Sequence, residues 1–89
     1  MPFTVTEAQP TPNPNAMKYL LDRPICAAPR SYFNADAGQD DAIASQLFAI
    51  PGVEGILMLN DFVTVSKSAD STWKQITPGV KRVLADAVG

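Results

Sequence analysis

The chain contains no histidine and a single cysteine, Cys26. Without histidine it lacks the usual general base at neutral pH and the commonest transition-metal ligand. A Ser–His–Asp arrangement is excluded outright. One thiol forms no internal disulfide, so a secreted, disulfide-stapled scaffold is not expected. Four-cysteine ligation of an iron–sulfur cluster within the chain is excluded by count. The five glycines are dispersed, which leaves no glycine-rich phosphate loop. Basic runs are equally scarce, the longest being Lys81-Arg82, and the formal net charge is -2. Neither nucleic acid nor an anionic membrane is therefore an expected partner. No apolar run approaches the roughly 18 residues of a membrane span. The first residues, Met1-Pro2-Phe3-Thr4, lack the basic and apolar regions of a signal peptide, and the cytosol is the expected compartment.

What is present suits one small globular domain. Of the 89 residues, 46% are apolar and 18% charged, a balance that supports a core rather than disorder. A chain of this size buries roughly 60–65% of its unfolded surface and folds alone with a modest margin.

Periodicity predicts the elements. Phe3 to Thr6 reads as a strand with Phe3 and Val5 on one face. Pro10, Pro12 and Pro14 then alternate with Thr11 and Asn13 before Asn15, a stiff connection that suits neither a helix nor a central strand. Ala16 to Leu21 reads as a second strand, with Met17, Tyr19 and Leu21 sharing one face and Lys18 and Leu20 the other. Pro24 and Pro29 break any pattern over the next stretch, leaving only Ser31 to Asn34 as a short strand and Asn34 to Asp41 as a loop. A helix is expected from Ala42 to Ala49, capped by Asp40 or Asp41, with Ile43, Leu47 and Ile50 on one side and Pro51-Gly52 ending it. Val53 to Leu59 and Phe62 to Lys67 form a hairpin about Asn60-Asp61, residue types that tolerate positive φ. A last helix runs from Thr72 to Val88, capped by Asp70 or Ser71, and the unbroken spacing of Trp73, Ile76, Val80, Val83, Leu84 and Ala87 favours one helix kinked at Pro78.

The expected fold class is α+β: a two-layer sandwich in β-β-α-β-β-α order, with an antiparallel sheet of about four strands and two helices packed on one face. Residues 1–89 form a single domain, and a monomer is expected.

Three segments carry a family resemblance. Thr11-Pro12-Asn13-Pro14-Asn15-Ala16-Met17-Lys18-Tyr19 resembles the signature of Nfu/NifU N-terminal domains. Ala44 to Val53 resembles that family's helix-to-strand junction, and Asp61 to Lys67 followed by Trp73 resembles its last strand and tryptophan helix. The order and spacing agree from Phe3 to Asp86. The resemblance implies an accessory role, because the family's cluster is held by a Cys-x-x-Cys motif in a second domain. That motif is absent from this sequence. What the resemblance implies is a non-enzymatic domain for iron–sulfur cluster assembly or delivery, acting by protein recognition. Its partners would be assembly or recipient proteins, among them a Cys-x-x-Cys NifU-like protein. The chain alone would bind no cofactor or metal and would meet the cluster only through a partner. A protein-interaction module outside cluster biology and a small-ligand binder are the alternatives.

The candidate partner-binding residues are Asn13, Asn15, Lys18, Tyr19, Asn60 and Phe62. Asn13 and Asn15 offer amides on a pre-stiffened loop, with Lys18 and the Tyr19 ring beside them as a cation and an aromatic anchor. The competing reading is that the prolines merely fix a crossover while the asparagine side chains cap turns. Phe62 alternates with Val63 and Val65, so it is expected off the core side, next to the Asn60-Asp61 turn. Trp73 and Phe48 fit helical core faces. Cys26 reads as a small buried apolar residue. Asp36, Asp40 and Asp41 lack the ligand pattern of a calcium loop and are better explained as helix caps.

Overall fold

The computed structural model describes residues 3–86. The strands are β1 (Val5–Pro10), β2 (Ala16–Leu21), β3 (Cys26–Tyr32), β4 (Val53–Asn60) and β5 (Phe62–Lys67). The helices are α1 (Ala35–Gly38), α2 (Ala42–Phe48) and α3 (Trp73–Asp86). All five strands join one sheet in the order β1-β2-β5-β4-β3, and every pairing is antiparallel.

Five strands replace the expected four. Proline concealed the additional one. Pro29 lies within β3, and β3 is a sheet edge, where half of the backbone groups face no neighbouring strand and a missing donor is tolerated. The pairing of β3 with β4 is irregular between Cys26 and Arg30, bracketing that proline. The same logic carries β1 through to Pro10 rather than stopping at Thr6, since β1 is the other edge. Phe3 precedes β1 instead of opening it, yet its ring is buried and its N–H donates to the Leu84 carbonyl at 2.9 Å. The expected loop at 34–41 contains the single turn α1, whose first N–H groups are met by Asn34: its Oδ1 accepts from Ala37 N at 2.8 Å.

Asp41, not Asp40, caps α2, accepting from Ile43 N at 3.0 Å and Ala44 N at 3.1 Å. After α2, Ile50-Pro51-Gly52-Val53 turns the chain into β4. Val53 N donates to Ile50 O at 3.2 Å, and Gly52 holds φ 96. Proline first and a positive-φ glycine second is the pattern of a type II turn. At the hairpin, Leu59 faces Phe62 across the two-residue link, and Asn60 takes φ 51. The last helix is continuous through Pro78. Its first turn is closed by the Thr72 carbonyl, which accepts from Gln75 N and Ile76 N, so neither Asp70 nor Ser71 caps it. Ser71 Oγ instead bonds Ser68 Oγ at 2.9 Å. Ala87 and Val88, the expected end of this helix, lie outside the described residues.

Strand alternation sorts the sheet into two faces. Tyr19, Leu21, Ile56, Met58, Val63 and Val65 point one way and are buried against Ala44 and Leu47 of α2 and Ile76, Val80 and Leu84 of α3. Both helices thus cover the same face. The opposite face carries cross-strand rows set by register: Glu7–Leu20–Phe62–Leu59, Gln9–Lys18–Thr64–Leu57–Ser31 and Ala16–Ser66–Gly55.

Candidate functional site

The uncovered sheet face gathers two of the six candidate residues. Lys18 on β2 lies directly opposite Thr64, and Phe62 lies opposite Leu20. The lysine leans along the diagonal, and its Nζ sits 4.3 Å from the centre of the Phe62 ring. A cation at that range is attracted by the ring's electron-rich face, which holds both side chains in place. Leu20, Leu57, Leu59, Phe62 and Thr64 are all half-buried. Together they make an apolar stripe with one fixed positive charge.

Asn60 is at the hairpin end of this stripe. Its backbone makes the turn, and its carbonyl accepts from Ile25 N at 2.6 Å. Asn13 and Asn15 lie at the other end of β2, roughly 17 Å away at the rise of an extended strand. Thr11 Oγ1 lies 2.8 Å from the Asn13 carbonyl and 3.1 Å from the Ala16 carbonyl, and it accepts from Asn13 N. Asn13 Oδ1 accepts from Asn15 N at 2.9 Å. Asn15 Oδ1 accepts from Lys67 Nζ at 3.1 Å, while Asn15 O accepts from Lys67 N at 2.8 Å. Trp73 Nε1 donates to the Pro14 carbonyl at 3.2 Å. The loop is therefore pinned from β5 and from the first turn of α3. The Asn13 and Asn15 side-chain oxygens both serve as acceptors that hold the turn.

Tyr19 is a correction. It was expected as an exposed anchor, but its ring is 0% exposed. Its position on β2 sends it to the helix side with Val63, while its neighbour Lys18 goes to the open side. The hydroxyl finds Thr77 Oγ1 on α3 at 2.8 Å, and the ring meets Trp73 edge-on, 6.3 Å between centres at 68°. Burial raises the Tyr19 pKa, with the Thr77 hydrogen bond acting in the opposite sense. Trp73 and Phe48 are half-buried and pack against the core, as their helical positions imply. The expected burial of Cys26 concerns a side chain outside those described.

Two features have no evident signal in the sequence. Phe33, just past β3, is 83% exposed. A cleft of about 560 Å³ opens between β3, α1 and α2, walled by Phe3, Ile25, Ile43, Arg30, Tyr32 and Asp41. Within it, Asp41 Oδ2 accepts from Tyr32 OH at 3.0 Å and from Arg30 Nη1 at 3.3 Å. Burial works to raise the Asp41 pKa, but the hydrogen bonds from Ala44, Tyr32, Ile43 and Arg30 outweigh it and hold the carboxyl below its ordinary value. Both Asp41 oxygens are thus committed to the fold. Among the described residues, no three His, Cys, Asp or Glu side chains are gathered as ion ligands, and no helix is long and apolar enough to cross a membrane.

Known proteins resemble this chain in sequence and in fold. The chain is 33% identical over 81 residues to "NifU-like protein 5, mitochondrial" of Arabidopsis thaliana, covering 90% of this chain and 30% of that protein. It is 33% identical over 82 residues to "NFU1 iron-sulfur cluster scaffold homolog, mitochondrial" of Drosophila erecta, covering 90% of this chain and 29% of that one. It thus spans about a third of the length of these relatives. The solution structure of a NifU-like protein from Saccharomyces cerevisiae superposes with a TM-score of 0.76 at 26% identity, covering 92% of this chain and 76% of that one. The family model described as "Scaffold protein Nfu/NifU N terminal" matches residues 5–89. With the Pro-Asn corner, the helix-to-strand turn and the Phe62 strand all inside that match, the chain belongs to the Nfu/NifU scaffold N-terminal family.

Proposed function

We propose that this domain serves iron–sulfur cluster assembly or delivery as a recognition module without catalysis of its own. It presents the uncovered sheet face to a protein that carries or receives a cluster. The observation that supports this most is the Lys18–Phe62 pair set among Leu20, Leu57 and Leu59 on a face that α2 and α3 leave bare. A contiguous apolar patch with a polar rim is the usual form of a protein-binding surface, and an aromatic at its centre is the usual anchor. Lys18 adds selectivity, because a partner must offer it an acceptor or a carboxylate while desolvating it. The Asn13 and Asn15 amides extend the same recognition beyond the end of β2. The cluster is cargo in this reading, held by the partner.

Calorimetric titration against a cluster-loaded Cys-x-x-Cys NifU-type domain tests the proposal. Saturable binding is expected, weakened about tenfold by Phe62→Ala, as befits loss of a central aromatic. Absence of binding, or an unchanged affinity in a folded Phe62→Ala variant, would overturn it.

A further inference from the structure

Phe33 is a large apolar side chain left almost fully in solvent, at 83% exposure. Its backbone gives it no choice of side. Tyr32 faces the helices, with its hydroxyl bonded to Asp41, so the next residue turns away from them. Asn34 then begins α1 and prevents the strand from carrying Phe33 further over the sheet.

The ring stands between two grooves. On one side, a groove of about 500 Å³ is lined by Phe33, Asn34, Phe48, Val53 and Glu54. On the other, one of about 200 Å³ lies over the open face, its floor made of small residues, Gly55, Thr64 and Ser66, beside Leu57. Neither groove is lined by a lysine or arginine. Glu54 is the ionisable group within the first, and Asp36 follows in the first turn of α1, three residues on from Phe33. Both are exposed, and neither takes part in the ion pairs found among the described residues, Arg23–Asp22 and Arg30–Asp41.

From this we infer a docking site for a cationic, apolar segment of a partner protein, gripped by Phe33. Apolar side chains of the segment enter the grooves on either side of the ring, and a lysine or arginine between them meets Glu54. Glu54 within the first groove favours a basic segment and repels an acidic one. The site borders the Lys18–Phe62 stripe at Leu57 and Thr64, but its occupant is defined without reference to any cluster. It stands or falls separately from the function proposed above.

The test is a titration of the isotope-labelled chain with short synthetic peptides, read by backbone amide shifts. The probes are an eight-residue peptide alternating leucine and lysine and its counterpart with glutamate for each lysine. Expected are saturable shifts at Phe33, Glu54, Gly55 and Ser66 with the lysine peptide, and binding at least about tenfold weaker with the glutamate peptide. Phe33→Ala should weaken the lysine peptide about tenfold, and Glu54→Lys should weaken it further while improving the glutamate peptide. Because Phe33 is exposed, that variant should melt at the parent temperature. Equal binding of the two peptides, shifts confined to Leu20, Leu59 and Phe62, or indifference to Phe33→Ala would each overturn the site.

Discussion

The Asp41 carboxylate accepts hydrogen bonds from four donors, two on each oxygen, and its side chain is 8% exposed. It closes the first turn of α2 and fastens that helix to β3. Replacing it with alanine should destabilise the fold by about 1–2 kcal/mol, measured by urea unfolding at neutral pH. The pH dependence follows from the direction of its shift. A carboxyl whose folded pKa lies below its unfolded value of 3.8 contributes stability above that value and loses it as pH falls through the folded pKa. Parent stability should therefore fall on acidification below about pH 4, and Asp41→Asn should flatten part of that fall. Asp22, bonded by Thr4 N, is lowered too and accounts for some of the remaining slope. A cap of this kind is legible in a sequence, because an aspartate just before an apolar helical pattern has one obvious use. Tyr19 was not legible. Its alternation with Met17 and Leu21 shows which residues share a face but not which face is covered. Thr77, which accommodates its hydroxyl, is 58 residues away along the chain. Phe33 was hidden for a related reason: its exposure depends on where β3 stops and α1 begins.

Elements were readable wherever turn chemistry was local. Pro51-Gly52 marks the end of α2 because proline excludes helix before it and glycine accepts the φ of 96. A Cβ at Gly52 would also collide with Ser71 Oγ. Gly52→Ala should thus cost at least about 2 kcal/mol, lowering the melting midpoint by roughly 4–8 °C per kcal/mol in a domain of this size. Pro78 behaves differently. It denies the Lys74 carbonyl its helical partner, yet Ile76, Val80 and Leu84 are each buried on the sheet and carry α3 through. Tertiary packing overrides the local break. Pro78 itself is exposed, so alanine there opens no cavity. Pro78→Ala should stabilise the chain by about 1–2 kcal/mol, a restored helical bond offset by the greater freedom of the unfolded chain. A rise in the thermal midpoint would show it. The extent of the two edge strands was not legible, because prolines mean two different things. Within a central strand Pro29 would forbid pairing, whereas at an edge it limits it, and edge position is a property of the whole sheet.

At the scale of the molecule, both edges are guarded and one face is not. Pro10 and a register shift between Val5 and Glu7 interrupt β1, and Pro29 with its own irregularity interrupts β3. Such features discourage strand addition, which leaves the faces of the sheet for the proposed recognition. The helices occupy one of them. The other bears the Lys18–Phe62 stripe, with the pinned Pro-Asn corner beyond one end and Phe33 at its margin. The most direct measurement is a map of the backbone amides perturbed when the labelled chain binds a cluster-loaded Cys-x-x-Cys domain. Perturbations concentrated at Lys18, Leu20, Leu57, Leu59 and Phe62 are expected. A footprint confined to the outer surfaces of α2 and α3, with the bare sheet face silent, would contradict the recognition role proposed for it.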